Sequence, residues 1–284
     1  MRSSISVLPA RAWGRAQRTT RRATKYAGQL GTGRRGQAAP LFVLGCQRSG
    51  TNMLLAALEA SPETWTYNED NPRAFRRFRL RDPQRIASLT ERARCRVVVF
   101  KALCDSQHAD RLLERFPEAK VIWLLRGYSP VVDSAVRKWG DGQLRLVRRI
   151  AGDAPFDHWL AERLPDHRRE LVRELVARDL SLHSAAALKW YLRNELYFDR
   201  ELDRRVDRAL LVRYEDVVAD RVGRLSEVFE LAGLRFDPAF AEGVSEDRRG
   251  PEPGLDPRVR ELCDDLSARL AGALREQRTR SAAR

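Results

Sequence analysis

Short apolar runs alternate with longer amphipathic segments along most of the chain. Four runs are rich in Val and Leu, as expected for strands buried on both faces: Leu41–Gly45, Val97–Phe100, Lys120–Leu125 and Ala209–Tyr214. The segments between and after them have apolar residues at helical spacing: Thr51–Glu59, Gln107–Arg115, Pro130–Lys138, Leu182–Asp199 and Arg221–Leu231. This alternation predicts a three-layer α/β domain, in which helices flank a parallel sheet.

The region Asp141–Asp179 departs from this alternation, because it is polar and mostly helical in pattern. We expect it to be an insertion that covers a substrate cleft. A chain of 284 residues with 43% hydrophobic content can bury one substantial core. The predicted organisation is an N-terminal tail of residues 1–40 followed by one domain of residues 41–284.

The positive charge of the protein is concentrated in this N-terminal tail. The net charge is +14, but residues 1–40 contain nine basic and no acidic residues, which leaves +5 for the remainder. The tail is also rich in Gly, Ser, Thr and Ala, a composition that predicts disorder. A solvated extension and contact with nucleic acid, anionic lipid or an organelle importer are the open alternatives.

The sequence predicts a soluble, cytoplasmic protein without a metal site. No apolar run approaches the roughly 18 residues that a membrane-spanning helix needs, and the start lacks the apolar core of a secretory signal. The four cysteines lack the CxxC spacing of zinc sites, and their low density favours reduced thiols: Cys46, Cys95, Cys104 and Cys263. "GTGRRG" (Gly31–Gly36) matches a dinucleotide fingerprint in letters only, since it precedes the first strand.

The stretch "GCQRSGTN" joins the first strand to the first helix. Glycines let such a loop curl its N–H groups inward, and the helix start adds a positive dipole end, so the loop predicts a phosphate site. A triphosphate-binding loop has Lys and then Ser or Thr after its second glycine. Here those positions hold Thr51 and Asn52, whereas the cation, Arg48, lies inside the loop and is followed by the Ser49 hydroxyl. An ordinary strand-to-helix turn is the alternative.

Three stretches together resemble the sulfotransferases that use 3'-phosphoadenosine 5'-phosphosulfate (PAPS). "CQRSGTNML" resembles their 5'-phosphosulfate-binding loop. "VIWLLRGYSPVVDSAVRKW" is similar to their 3'-phosphate element, with Arg126 at the end of a strand and Ser134 eight residues later on a helix. "LLVRYEDVVAD" looks like their late strand and the start of the helix behind it. The resemblance extends from Leu41 to Gly233 in the same order.

The resemblance implies PAPS as co-substrate, no metal, and adenosine 3',5'-bisphosphate (PAP) as the nucleotide product. The residues that it assigns to the nucleotide are Arg48, Ser49, Gly50, Thr51, Asn52, Arg126 and Ser134. Two separate phosphate groups need two anion sites, and the carboxyl ends of the Leu41 and Val121 strands are where an open α/β sheet supplies them. A guanidinium such as that of Arg126 suits a bidentate contact with phosphate, although a surface ion pair is the alternative for this residue.

Sulfuryl transfer needs a base for the acceptor and a cation for the leaving phosphate. The resemblance implies Arg48 for the second role. It also places a glutamate base after the first helix, in "TWTYNEDNPRAFRRFRLRD", where Glu69 is our choice and Asp70 the substitute. His108 is the alternative base. Lys101, at the end of a strand, either stabilises the sulfuryl oxygens, holds the 5' phosphate, or has no functional role.

Two other features carry further predictions. Trp190, Asn194 and Tyr197 lie at helical spacing, and we interpret this stripe as core. Arg248-Arg249-Gly250 is comparable with a late basic loop of the sulfotransferases, or is exposed coil. The acceptor is a small molecule, carbohydrate, lipid or peptide, and no stable nucleic-acid complex is expected. A P-loop kinase or nucleotide triphosphatase and a non-enzymatic binder that uses the basic tail are the alternative functions.

Overall fold

A computed structural model describes Lys25, Gln29 and residues 36–152, 154, 156–243 and 252–282. The strands are β1 (Ala39–Gly45), β2 (Thr64–Tyr67), β3 (Phe75–Arg76), β4 (Arg79–Leu80), β5 (Val97–Lys101), β6 (Lys120–Leu125) and β7 (Ala209–Arg213). The helices are α1 (Thr51–Ala60), α2 (Pro83–Glu91), α3 (Ala109–Arg115), α4 (Tyr128–Trp139), α5 (Gly142–Ala151), α6 (Asp166–Val176), α7 (Leu182–Asn194), α8 (Leu196–Asp199), α9 (Tyr214–Ala219), α10 (Arg221–Leu231) and α11 (Pro257–Ala282). Short 3₁₀ helices span Leu103–His108, Leu202–Arg204 and Pro238–Ala241.

A five-stranded parallel sheet in the order β2-β5-β1-β6-β7 forms the centre of the molecule. Alternate residues of β1 point to opposite faces of it. Phe42 and Leu44 belong to a core that includes residues of α4, α7 and α11, whereas Leu41 and Val43 belong to a second core with residues of α1 and α10. Helices therefore cover both faces, which is why the strands are almost wholly apolar. The predicted three-layer α/β class is confirmed.

The register of the sheet brings the two predicted phosphate elements side by side. Strand β1 pairs directly with β6, with Gly45 opposite Leu124, so both strands end at the same edge. The loop after β1 and the start of α4 after β6 are consequently neighbours. Ligands of open α/β sheets bind at this carboxyl edge.

Several predicted boundaries are wrong. Thr64–Tyr67, for which no strand was predicted, is the edge strand β2, and its Tyr67 ring stacks on Phe100 at 5.4 Å. The predicted helix Gln107–Arg115 begins only at Ala109 and follows a 3₁₀ turn. The predicted helix Leu182–Asp199 is divided into α7 and α8 at Glu195.

The region Asp141–Asp179 contains α5 and α6, as its helical pattern predicted. Helix α11, for which no prediction was made, inserts Val259, Cys263 and Leu266 into the core that contains α7. All four cysteines are buried and unbridged. Within the described part of the chain, no helix combines the length and the apolarity needed to span a membrane.

Two residues of the predicted N-terminal tail, Lys25 and Gln29, contact the domain. Lys25 Nζ donates to the Glu59 carbonyl oxygen at 2.6 Å and to Thr64 Oγ1 at 3.0 Å. Gln29 Nε2 donates to the carbonyl oxygens of Pro62 and Thr64 at 2.7 and 2.9 Å. Most of Gly31–Gly36 and all of Arg248-Arg249-Gly250 lie outside the described residues.

Candidate functional site

The loop between β1 and α1 requires its glycines. A Cβ atom on Gly45 would lie 2.6 Å from the Leu124 carbonyl oxygen, and one on Gly50 would lie 2.3 Å from the Tyr214 ring. Both glycines have positive φ angles, 126° and 86°, and Arg48 between them also has one, at 74°. No side chain caps the start of α1, so the first N–H groups of this helix remain available to an anion.

Ser49 is the most enclosed polar residue of this loop. Its side chain is fully buried, and its Oγ has no hydrogen-bond partner among the described residues. A buried hydroxyl without a partner costs about 1 to 3 kcal/mol. An anion oxygen seated in the loop would supply the missing acceptor.

Arg48 turns toward the second predicted element. Its Nε donates to Ser134 Oγ at 2.8 Å, and Arg126 Nη1 donates to the Arg48 carbonyl oxygen at 3.4 Å. Burial lowers the pKa of Arg48, and the charges of Arg126 and Arg137 lower it further. Because these guanidinium groups repel one another, an anion between them would be stabilised. The two predicted anion elements are therefore in direct contact in the structure.

Arg126 is held by aromatic side chains. Its guanidinium lies 4.5 Å from the centre of the Tyr214 ring, and its carbonyl oxygen accepts a hydrogen bond from Trp190 Nε1 at 2.8 Å. Tyr214 in turn packs against Gly50. Tyr214 was predicted from the sequence only as the last residue of a strand, whereas it begins α9. Its position directly after a parallel strand was the available signal.

Lys101 lies at the end of β5 and links the loop helix to the proposed base. Its buried Nζ donates to Asn52 Oδ1 at 2.8 Å and to Asn68 Oδ1 at 3.1 Å, and lies 3.1 Å from Glu69 Oε2. Three acceptors thus surround one ammonium group. Asn52, which stands where a triphosphate loop has its metal-binding hydroxyl, is engaged with Lys101.

Glu69 follows β2 and is mostly buried, with 15% of its side chain exposed. Burial raises the pKa of its carboxyl group, Lys101 opposes that shift, and Asp105 and Asp70 add to it. The Cys104 thiol lies 4.0 Å from Glu69 Oε1. Burial and the charge of Glu69 raise the pKa of Cys104 to about 12, so this thiol is protonated at neutral pH. Asp70 is exposed and accepts a hydrogen bond from Asn68.

His108 belongs to a different cluster. Its Nε2 lies 3.1 Å from Glu162 Oε1 and 3.4 Å from Arg79 Nη2, and Arg79 also pairs with Asp105. Burial lowers the pKa of His108, although Glu162 opposes this shift. The hydrogen bonds and ion pairs of His108 are therefore directed at this cluster, and those of Glu69 at Lys101.

The stripe predicted as core is buried in the structure. Trp190, Asn194 and Tyr197 are 1%, 0% and 3% exposed. Asn194 Oδ1 accepts a hydrogen bond from Trp123 Nε1 at 3.3 Å, while Trp190 supports Arg126 as described. The core interpretation is confirmed.

Lys189 is a residue that sequence reasoning missed. It is 5% exposed on α7, where the ring centres of Trp139 and Trp159 lie 4.8 and 5.8 Å from its Nζ. The available signal was a charged residue inside an otherwise apolar helical run, a placement that proteins seldom use. No cluster of metal-binding side chains occurs in the described part of the chain.

No family model matches the chain, and no curated protein is significantly similar to it. Among solved structures, a sulfotransferase domain from the Synechococcus PCC 7002 olefin synthase is 18% identical, with 83% of this chain and 90% of that chain covered and a TM-score of 0.45. A sulfotransferase from Alicyclobacillus acidocaldarius is 17% identical, with 83% and 94% covered and a TM-score of 0.45. A mouse sulfotransferase complexed with PAP is 12% identical, with 85% and 87% covered and a TM-score of 0.40. None of these low similarities assigns the chain to a family.

Proposed function

We propose that this protein is a sulfotransferase that moves the sulfuryl group of PAPS to a hydroxyl or amine acceptor. The observation that carries the proposal is the convergence of Arg48, Arg126 and Ser134 at the carboxyl edge of the sheet. These residues come from two stretches that are 78 or more positions apart and that separately resemble the two phosphate elements of that family. Two guanidinium groups and one hydroxyl group suit a ligand with two phosphate groups.

The donor would be held by groups from both elements. The N–H groups at the start of α1, the Ser49 and Thr51 hydroxyls and Arg48 would bind the 5'-phosphosulfate, with Gly50 and Asn52 completing the loop. Arg126 and Ser134 would bind the 3' phosphate. This assignment uses the buried Ser49 Oγ, which otherwise lacks a partner among the described residues.

The reaction would be an in-line displacement at sulfur. Glu69 would take the proton of the acceptor as the acceptor oxygen or nitrogen bonds to sulfur, and the bond from sulfur to the bridging phosphate oxygen would break. The leaving PAP would then gain negative charge on its 5' phosphate, which Arg48 would stabilise. Lys101 would orient Glu69 and stabilise the sulfuryl oxygens.

Calorimetric titration with PAP tests the donor assignment. We expect PAP to bind equally in the presence of a chelator and of magnesium, because the loop lacks the lysine and metal ligand of triphosphate sites. Arg48→Ala should slow sulfuryl transfer more than it weakens PAP binding, since its charge acts mainly on the leaving phosphate. A strict magnesium requirement, together with turnover of ATP, would contradict the proposal and favour a P-loop kinase.

A labelling experiment tests the activity itself. Cellular extract is incubated with the protein and isotopically labelled PAPS, and the products are identified by mass spectrometry. Transfer of label to an extract component, at a lower rate when Arg48→Ala replaces the wild type, is the expected result. Persistent failure to transfer label, by a protein that binds PAP, would count against an enzymatic role.

A further inference from the structure

A cavity of about 560 Å³ lies beside the phosphate loop, between α4, α5, α7 and the segment before α6. It is lined by Gln47, Trp139, Gly142, Gln143, Arg145, Leu146, Arg149, Phe156, His158, Trp159 and Lys189. Its volume is within the range of small-molecule sites. The helical region that was predicted to cover a substrate cleft supplies most of these residues.

The cavity contains a buried lysine that has no counter-ion among the described residues. Lys189 is 5% exposed and forms no hydrogen bond or ion pair with any residue that the structure describes; its polar contacts are with the tryptophan rings. Burial lowers the pKa of Lys189; Cys46 and Cys104 oppose this shift, and Arg193 and Arg48 add to it. A buried ammonium group with unused N–H donors is destabilising unless an acceptor completes its shell. The geometry therefore leaves room for an anion at Lys189.

The other charged residues around the cavity do not neutralise this cation. Among the described residues that line the cavity, none has a carboxylate side chain, whereas Arg145 and Arg149 are both present. Arg145 pairs with Asp141 outside the lining, and Arg149 lies over the Phe156 ring at 4.5 Å. Burial lowers the pKa of His158, and Lys189 and Arg193 are the next causes, as expected in a positive environment.

Aromatic rings form the remaining wall. The rings of Trp139 and Trp159 flank Lys189, and His158 stacks on Phe156 with ring centres 5.2 Å apart. Such faces bind planar rings and the apolar face of sugars. An occupant would therefore combine a ring with a negative charge.

One residue of the cavity lining is linked to the proposed catalytic groups through side-chain contacts. Gln47, which lines it, lies next to Arg48 in the loop, and its Nε2 is 3.7 Å from Cys104 Sγ. Cys104 Sγ is in turn 4.0 Å from Glu69 Oε1. A hydroxyl group on a molecule in the cavity would thus lie on the side of the loop where Glu69 stands.

We propose that this cavity is the acceptor site, and that the acceptor is an anionic ring compound whose carboxylate, phosphate or sulfate group binds Lys189. The acceptor role rests on the proposed sulfuryl transfer, but the recognition of an anion at Lys189 does not. An acidic sugar and an aromatic acid share this chemistry. The experiment therefore includes one pair of probes for an aromatic acid and one pair for an acidic sugar.

The test uses matched acid and neutral probes on the full-length protein saturated with PAP. One pair is para-hydroxyphenylacetate and its amide, and the other is para-nitrophenyl glucuronide and the corresponding glucoside. Binding is measured by calorimetry for the wild type, Lys189→Met and Lys138→Met. Lys138 is an exposed lysine on α4 that does not itself line the cavity, so its substitution removes the same charge and loses only a contact at 5.9 Å with the ring of the lining residue Trp139.

We expect the acid of at least one pair to bind the wild type about 10- to 150-fold more tightly than its neutral partner, the ratio for a charge-assisted hydrogen bond. Lys189→Met should abolish this preference and leave PAP affinity unchanged, whereas Lys138→Met should retain it. The preference should also weaken with added salt, a measurement that needs no variant. If Lys189→Met fails to bind PAP, anion recognition is judged from the wild type alone, by comparing its affinities for the acid and neutral probes and the effect of salt on their ratio.

Three results would overturn the inference: equal binding of both members in both pairs, no binding by either acid, or an acid preference that survives in folded Lys189→Met. Failure of the proposed function is a separate outcome, seen as absent PAP binding. In that case the same probe pairs are titrated without nucleotide, and they still test anion recognition at Lys189.

Discussion

At the scale of single residues, Glu69 experiences opposing influences on its charge. Burial raises the pKa of its carboxyl group, and the Lys101 ammonium 3.1 Å away lowers it, with a net upward shift. A base works only when deprotonated, so kcat/KM should fall as the pH decreases through this raised pKa. Lys101→Met removes the stabilising cation, and the acid limb of the pH profile should therefore move to higher pH. An unmoved limb would separate Glu69 from the catalytic step.

Replacing the carboxylate itself gives a sharper result. Glu69→Gln keeps the size of the side chain but cannot accept the proton, so turnover should fall about 100- to 10,000-fold. PAP affinity should remain, because Glu69 is assigned no contact with the nucleotide. His108→Ala is the matched control and should keep near-normal turnover, since His108 pairs with Glu162. The reverse pattern in labelled-PAPS assays would transfer the role of base to His108.

Arg126 and Ser134 should together distinguish PAP from AMP. Losing a charge-assisted hydrogen bond weakens binding about 10- to 150-fold, so Arg126→Ala should reduce PAP affinity by that ratio and leave AMP affinity nearly unchanged. Ser134→Ala should show a smaller effect of the same kind. Calorimetry with both nucleotides provides the measurement. Equal losses for PAP and AMP in a folded Arg126→Ala protein would contradict recognition of the 3' phosphate.

The residues of the candidate site differ in how far their roles could be predicted from the sequence. Arg48, Arg126 and Ser134 stand at loop and strand ends, where residue type and spacing carry the information. For Lys189, the sequence shows only a lysine inside an apolar helical run. It could not show that this lysine has no counter-ion among the described residues, because that depends on how α4, α7 and the segment before α6 pack together. The burial of a charge is a property of tertiary packing.

At the scale of elements, the phosphate loop depends on contact between Gly50 and Tyr214. Gly50→Ala would place a methyl group 2.3 Å from a ring that also supports Arg126, at a φ angle of 86°. Overpacking costs about 1 to 3 kcal/mol, and a left-handed backbone adds about 1 to 2 kcal/mol for a residue with a Cβ atom. We therefore expect a lower free energy of unfolding and weaker PAP binding.

Gly233→Ala is the control for the backbone contribution. Gly233 also has a positive φ angle, 67°, but nothing lies within 4 Å of its added Cβ. This variant should lose only the backbone contribution and should bind PAP normally. Urea unfolding and PAP titration of both variants give the comparison. Similar losses of PAP affinity in the two variants would rule out the packing explanation.

The strands that are buried on both faces of the sheet could be predicted from the sequence. Strands β1, β5, β6 and β7 are apolar runs, and burial on both faces is what makes them so. Strand β2 is an edge strand of four residues, "TWTY", whose mixed composition gives no continuous apolar signal. The division between α7 and α8 falls at buried Glu195, which pairs with Arg168 and Arg269. Such long-range ion pairs leave no local pattern in the sequence.

At the scale of the whole molecule, the sheet order explains how distant stretches form one site. Parallel strands place all their carboxyl ends at one edge, and the adjacency of β1 and β6 puts Arg48 beside Ser134. The alternation of strands and helices predicted a parallel sheet. It did not predict which strands are neighbours, because strand order is set by how the helices pack across both faces.

The N-terminal segment makes its described contacts at the start of β2, and these contacts should stabilise the fold. Lys25 and Gln29 donate two hydrogen bonds each within the segment from Glu59 to Thr64. A hydrogen bond contributes about 0.5 to 1.5 kcal/mol, and about 1 kcal/mol corresponds to roughly 2 to 4 °C in domains of comparable size. The double variant Lys25→Ala/Gln29→Ala should therefore lower the thermal midpoint by several degrees.

Deleting residues 1–24 provides the comparison, because it removes basic charge but keeps Lys25 and Gln29. If the protein is an enzyme whose site lies at the sheet edge, this deletion should leave PAP affinity and sulfuryl transfer unchanged. The thermal midpoint should change little. The double variant should also bind PAP at temperatures well below its midpoint, since its lost contacts are at the start of β2, whereas Glu69 follows the end of that strand. Loss of function on deletion of residues 1–24, with PAP binding intact, would instead favour a binder that acts through its basic N-terminal segment.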